Sequence, residues 1–128
     1  FKSMIRDLSL DYPDFLIASS EWFTFVPAKE YFDEPGDHAD ELETSVMMHY
    51  HPELVDLSEA GDGKSKKFAS QMLNEKVAWV PRHWTRVTED TGIGNPKKAT
   101  AEKGKRYAEA VTAKYAQLFK ELTEEIYQ

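Results

Sequence analysis

The chain alternates between stretches in which apolar residues recur at helical spacing and short runs that are apolar throughout. Helical spacing, with apolar positions three and four residues apart, marks residues 1–12, 37–51 and 100–126. Pro13 and Pro52 end the first two of these helices, because proline disfavours helical conformation in the residue before it. Asp37 and Thr100 are the predicted N-caps of the second and third helices. The first helix has no capping residue, as though the sequence is entered in mid-helix.

The third helix has the most regular pattern. Its apolar stripe consists of Ala108, Val111, Tyr115, Leu118, Phe119, Leu122 and Ile126. Two continuous apolar runs, residues 15–18 (FLIA) and 77–80 (VAWV), are typical of short strands that are covered on both faces. Helices alternating with buried strands predict an α/β fold in which this last helix covers a sheet.

Residues 19–37 are rich in aromatic side chains and too irregular for one helix. They predict a structured loop, which either forms the wall of a pocket or packs over the edge of a sheet. Both interpretations stay open from the pattern alone.

Composition narrows the class of protein. A length of 128 residues with 41% hydrophobic residues is enough for one domain with its own core. The net charge of -7 argues against nucleic-acid binding, because basic residues cluster only at 64–67 and 97–106. The absence of cysteine excludes disulfides and thiolate metal sites. No apolar run has the length of a membrane helix, and the start does not resemble a signal peptide, so a cytoplasmic protein is expected.

Ionisable side chains concentrate in residues 36–55, GDHADELETSVMMHYHPELV. His38 lies at the start of the predicted second helix and Glu43 in its first turns, so both side chains can reach a site at the helix N-terminus. Imidazole can shuttle a proton, and a carboxylate can ligate a hard metal or orient a water. Acidic residues also occur in first turns simply because they interact favourably with the helix dipole. The segment has no HExxH motif and no second cluster that completes a metal site.

Two segments resemble the creatininase (creatinine amidohydrolase) family. HADELETSVMMHYHPELVDLSEA, residues 38–60, resembles the family's H-A-x-E-x-E-T-S segment with its following apolar helix and P-E-L-V. TGIGNPKKATAEKGKRYAEA, residues 91–110, resembles the segment with P-x-x-A-T-x-x-K-G that precedes the last helix of the family. The resemblance extends over nearly the whole chain but corresponds to the C-terminal half of the family.

This resemblance implies the C-terminal half of a three-layer α/β/α sandwich, so that residues 1–128 form a single domain or half-domain. It implies a metal-dependent amidohydrolase that hydrolyses a C–N amide bond of a small cyclic or linear amide. His38 matches the family histidine that handles the proton, and Glu43 matches the glutamate at the zinc or manganese centre, whether as a ligand or as support for one. Glu41 matches a frequent acidic position and is interpreted only as a first-turn charge.

Most metal ligands of the family lie in its N-terminal half, which this sequence lacks. The resemblance therefore implies that the activity requires that half as a partner, on a separate or cleaved chain, and it also suggests a homo-oligomer. The alternative is a non-catalytic, stand-alone remnant that acts in assembly or binding.

One departure from the family bears on the substrate. Members that hydrolyse creatinine place a tryptophan and an aspartate before the histidine, whereas residues 34–37 here are EPGD. Creatinine is therefore a poor candidate, and amide C–N hydrolysis is the expected class. Four aromatic residues either line the pocket or pack in the core: Trp22, Phe23, Trp79 and Trp84.

Overall fold

The computed structural model describes residues 1–124 of the chain. The α-helices are α1 (Lys2–Asp11), α2 (Glu41–Tyr50), α3 (Gln71–Asn74), α4 (Trp84–Val87) and α5 (Ala101–Glu121). Short 3-10 helices are formed by Trp22–Thr24, Ala28–Glu30, Pro52–Leu54 and Pro96–Lys98. Ile126, the last position of the predicted apolar stripe, lies outside the described residues. Within residues 1–124, no helix is long and apolar enough to cross a membrane.

Regular β-structure in the described part of the chain is limited to one antiparallel bridge, between His38 and Ile93. The prediction of strands at residues 15–18 and 77–80 is wrong for these residues, which adopt irregular structure. A strand is stabilised by hydrogen bonds to a neighbouring strand, and no other segment in 1–124 pairs with either one. Both segments instead expose large apolar side chains, including Phe15 at 69% and Trp79 at 83%. The sheet layer of the expected sandwich is thus not formed within residues 1–124.

The long helix α5 packs on α2, and residues 1–124 form no sheet for it to cover. An apolar stripe identifies the buried face of a helix but does not identify what covers it. Gly104 permits a close crossing, because a Cβ atom at this position would overlap the carbonyl oxygen of Ser45. The buried Ser45 hydroxyl accepts a hydrogen bond of 3.1 Å from the backbone N–H of Thr100. Thr100 caps α5 as predicted, since its side chain accepts from the N–H of Lys103.

Tyr107 of α5 lies at the centre of the core and has no exposed surface. The aromatic loop 19–37 wraps around it: Trp22 and Tyr31 meet its ring edge-on, with centroids 6.0 and 5.3 Å away. The Tyr107 hydroxyl donates to the carbonyl oxygen of Phe23 at 3.1 Å. The loop is therefore structured, as predicted, and it packs over a helix instead of a sheet edge. The cluster of buried apolar residues consists of Phe32, Leu42, Tyr107 and Val111.

A buried ion pair joins α2 to α5. Glu41 is 0% exposed, and its carboxylate accepts from the Lys103 ammonium at 2.5 Å and from the backbone N–H of Glu34 at 2.6 Å. Lys103 also binds Asp33 at 2.7 Å. A carboxylate that is removed from water needs a partner of opposite charge, which Lys103 provides. Glu41 is thus more than a first-turn charge, because it links the two helices.

The substitution Gly104→Ala tests the helix crossing. Alanine favours the helical state, yet its methyl group would collide with the backbone of Ser45. We expect a net loss of about 1–3 kcal/mol of unfolding free energy, the usual cost of overpacking. Lys105→Ala, at the exposed neighbouring position, is the matched control. Chemical denaturation that finds Gly104→Ala as stable as the control would contradict the close approach of the two helices.

The contacts of Lys103 with Asp33 and Glu41 predict how the stability of the fold depends on pH. Hydrogen bonding and the charge of Lys103 hold the pKa of Asp33 below its ordinary value of 3.8, and Asp33 and Glu41 hold the pKa of Lys103 above 10.5. The stabilisation is therefore present between these two values, and it is lost as pH falls through the lowered pKa or rises through the raised one.

We expect Lys103→Met to lower the thermal unfolding midpoint most between pH 4 and pH 10, with the difference from the wild type narrowing below pH 3.8. Lys105→Met, which changes an exposed lysine nearby, should follow the wild-type profile. A difference between Lys103→Met and wild type that does not vary with pH would rule out an electrostatic origin.

Candidate functional site

The backbone of His38 is held just ahead of α2 by the β-bridge. Its N–H donates to the carbonyl oxygen of Ile93 at 3.1 Å, and the N–H of Ile93 donates back to the carbonyl oxygen of His38 at 2.8 Å. The N–H of Asp37 shares the same Ile93 oxygen, at 2.8 Å. The two segments that carried the family resemblance therefore meet at His38.

Asp40 caps α2, so the prediction of Asp37 as the N-cap is wrong. One carboxylate oxygen of Asp40 accepts from the N–H of Glu43 at 2.9 Å, and the other accepts from the N–H of Gly36 at 2.5 Å. This is the hydrogen bond by which an N-cap satisfies a free N–H at the third helical position. Asp37, three residues earlier, forms a salt bridge with Arg82 at 2.5 Å. His38 therefore precedes the helix and its backbone does not follow the helical rotation.

The chain turns sharply between His38 and the helix. Ala39 adopts the left-handed conformation, with φ of 50°, and its N–H donates to Oε2 of Glu43 at 2.6 Å. The same oxygen lies 3.7 Å from Nδ1 of His38. The two predicted site residues are thus brought together, and their side chains are 46% and 41% exposed. Residues five apart on one helix would diverge by about 140°, which the turn avoids.

Glu43 borders a cavity of about 560 Å³ between α2 and the loops around residues 54–63 and 90–96. Met47, Leu54 and Val55 contribute apolar wall, and Trp22 lines the cavity as well as packing on Tyr107. The charged side chains in the lining are acidic: Glu43, Asp56, Glu59 and Asp90. The cavity thus has an apolar wall and a carboxylate that lies next to an imidazole.

The side chains of this chain fit a metal centre only in part. Among residues 1–124, no group of three or more histidine, aspartate or glutamate side chains is arranged to hold a metal ion. Oε2 of Glu43 is engaged by Ala39, while Oε1 accepts no hydrogen bond from the described residues, which leaves one oxygen donor for a divalent cation. A complete site therefore needs ligands from outside these residues.

Trp84 packs against the ring of His38. The two ring centroids are 5.0 Å apart and the ring planes are inclined by 55°. Arg82 lies over the ring of Trp84, with its guanidinium carbon 5.5 Å from the ring centroid. The aromatic residues of the sequence included Trp84 among the candidates for a pocket wall, whereas no sequence pattern pointed to Arg82. No local spacing connects either residue to His38, which is far away in the sequence.

The remaining predicted wall residues have other positions. Phe23 is 50% exposed, and Trp79 lies on the surface.

The EPGD segment is engaged in contacts within the chain: Glu34 pairs with Lys98 at 2.6 Å and accepts from the side-chain amide of Asn95 at 3.1 Å. Hydrogen bonding and charge from Lys98 lower the pKa of the Glu34 carboxyl.

An imidazole and a carboxylate held together at a helix start, beside a cavity, suit the acid–base chemistry of hydrolases. A family model named Creatininase and described as creatinine amidohydrolase matches residues 1–119. The chain therefore belongs to the creatininase family, which confirms the resemblance found in its sequence.

A solved structure supports the same assignment. It is the crystal structure, at 2.11 Å resolution, of a protein from Bacteroides fragilis NCTC 9343 that is provisionally named a creatinine amidohydrolase. The two sequences are 62% identical, and the folds agree with a TM-score of 0.94. The match covers 100% of this chain and 51% of the other, so the chain spans about half the length of that relative. No curated protein matches the chain.

Proposed function

We propose that this chain forms one side of the active site of an amidohydrolase, which hydrolyses a C–N amide bond in a small cyclic or linear amide. The observation that carries the proposal is the His38–Glu43 pair, with 3.7 Å between Nδ1 and Oε2 at the start of α2. Membership of a family described as creatinine amidohydrolase supports the type of reaction. The proposed active site also needs the other half of the family fold, either on the same polypeptide or on a separate chain.

His38 takes a proton from the water that attacks the amide carbon and passes it to the leaving nitrogen, so that a C–O bond forms and the C–N bond breaks. Its Nδ1 faces Glu43, so Nε2 is the nitrogen that remains available to a substrate. Oε1 of Glu43 would serve a divalent metal ion, either as a ligand or as support for one, while Oε2 holds the turn at Ala39. A divalent zinc or manganese ion, when bound, supplies the Lewis acidity that polarises the amide carbonyl.

Creatinine itself is a weaker candidate than other small amides. Glu34 and Asp37 stand in the segment where creatinine-hydrolysing members carry substrate contacts, and both are engaged by basic residues, Lys98 and Arg82. A carboxylate already paired in this way is less available to a ligand. We therefore propose an amide that does not depend on contacts from residues 34–37.

Reconstitution tests the proposed function. The chain is combined with the remaining part of the family fold, by co-expression or as a fusion with the corresponding half of the Bacteroides fragilis relative. Native and denaturing mass spectrometry then report the stoichiometry and any companion chain. The assembly, loaded with Zn²⁺ or Mn²⁺, is assayed for amine or ammonia release from a panel of cyclic and linear amides. Turnover supports the proposal, whereas a folded, metal-loaded assembly without turnover favours a non-catalytic role in assembly or binding.

His38→Ala tests the proton-transfer role. In the active assembly we expect a fall in kcat of about 100-fold or more, because a positioned acid–base group contributes about 10²–10⁴-fold. Metal content, measured by elemental analysis, should stay at the wild-type level. His51→Ala is the control, because it changes an exposed histidine whose side chain, within residues 1–124, pairs only with Glu53. Wild-type turnover in His38→Ala would exclude the assigned role.

Glu43→Gln tests the metal role and separates its two forms. Glutamine keeps an oxygen that can accept from Ala39, so the turn and the fold should be retained. If Glu43 is a ligand, metal is lost on dialysis; if it only supports one, affinity falls by about 10–100-fold. Glu59→Gln changes another carboxylate of the same cavity and should leave metal binding intact. Unchanged affinity in Glu43→Gln would remove Glu43 from the metal centre.

A further inference from the structure

We propose that Trp84 and Arg82 are positioning residues for the imidazole of His38. The inference rests on the proposed function, since it assigns to these residues the orientation of the group that transfers the proton. Neither residue belongs to the two segments that carry the family resemblance.

The backbone contacts of His38 do not determine the orientation of its ring. The bridge to Ile93 holds the N–H and carbonyl of His38, and the side chain beyond it is 46% exposed. The 3.7 Å between Nδ1 and Oε2 of Glu43 is longer than a hydrogen bond. An exposed imidazole held only in these ways would change rotamer readily. The indole of Trp84 supplies the missing restraint, because it covers one side of the ring at a centroid distance of 5.0 Å.

Arg82 in turn holds the indole. Its guanidinium carbon lies 5.5 Å from the Trp84 ring centroid, within the range of a cation–π contact. The same guanidinium donates to the carboxylate of Asp37 at 2.5 Å. Asp37 directly precedes His38 in the chain, and its N–H binds the Ile93 carbonyl that also accepts from His38.

These contacts close a circuit. It runs from the Asp37 carboxylate to Arg82, from Arg82 to the ring of Trp84, from Trp84 to the ring of His38, and back to Asp37 through the peptide bond. The circuit begins at Asp37 and ends at the adjacent His38. A shift of the Trp84 indole would therefore break its contact with Arg82 or its contact with His38. The circuit therefore couples the direction of the His38 ring to the backbone that the β-bridge holds.

The chemical consequence is a restricted direction for Nε2. Glu43 lies on the Nδ1 side and Trp84 on a face of the ring, so Nε2 keeps one orientation toward the reacting amide. An indole transfers no proton itself, and its loss should reduce the rate of the chemical step more than substrate binding. Poor orientation of a catalytic group reduces kcat without a matching change in KM.

The test combines kinetics with NMR on the assembled protein. In Trp84→Leu we expect kcat to fall by about 10–100-fold, with KM little changed, and Trp84→Phe to restore most of the rate, since a phenyl ring also covers the imidazole. Tyr50→Leu changes an exposed aromatic residue at the other end of α2 and should behave as wild type. Wild-type kcat in Trp84→Leu would overturn the proposal.

The ring protons of His38 give a readout that does not require turnover. They are observed with carbon-13-labelled histidine and assigned by their loss in His38→Ala. The ring current of Trp84 should displace them from the positions of a free histidine, and Trp84→Leu should remove that displacement while Tyr50→Leu keeps it. No change in Trp84→Leu would overturn the proposal, whatever the kinetics show.

Arg82→Gln removes the cation–π contact with Trp84 and leaves the contact between Trp84 and His38 in place. It therefore tests the contribution of Arg82 separately from that of the indole. We expect a partial loss of the His38 displacement and a smaller fall in kcat than in Trp84→Leu. Spectra identical to wild type would remove Arg82 from the proposal. If the wild-type assembly proves inactive, the proposed function fails, and the displacement of the His38 protons still decides whether Trp84 and Arg82 position the ring.

Discussion

The close contact between Gly104 of α5 and the backbone of Ser45 in α2 is the constraint on which the rest of the structure depends. A side chain at position 104 would overlap the Ser45 carbonyl, so only glycine allows the two helices to approach this closely. The approach brings Lys103 to the buried Glu41, which has no other cationic partner among the described residues. It also places the N–H of Thr100 against the Ser45 hydroxyl. The start of α5 is thereby packed against the start of α2.

The acidic residues at the start of α2 have separate physical tasks. Asp40 caps the helix and holds Gly36, and Glu41 neutralises Lys103 within the interface. Oε2 of Glu43 turns back toward Ala39 and His38. Oε1 accepts no hydrogen bond from the described residues. A dense run of carboxylates therefore does not amount to a metal cluster within residues 1–124. Two of the three stabilise the fold, and the third is available for chemistry.

The exposed apolar segments agree with the proposed need for the rest of the family fold. Residues 15–18 and 77–80 have the composition of buried strands, yet Phe15, Val77 and Trp79 are largely exposed. Large apolar side chains that are exposed together within short segments are typical of an interface. The related solved structure is about twice the length of this chain, with 51% of it covered by the match. A partner segment that pairs with these residues would supply both the missing strands and the missing ligands.

The sequence by itself determined the helices α1, α2 and α5, the cap at Thr100, the family and the pair of candidate residues, because these depend on local spacing and on short motifs. It could not determine which carboxylate caps α2, since Asp37 and Asp40 are both suitable and the choice depends on Arg82, which is far away in the chain. The periodicity of α5 identified its apolar stripe but not the element that covers the stripe, which the sequence pattern led us to expect to be a sheet. Only the tertiary structure placed α2 against α5 and Trp84 against His38, since both contacts join residues that no sequence pattern connects.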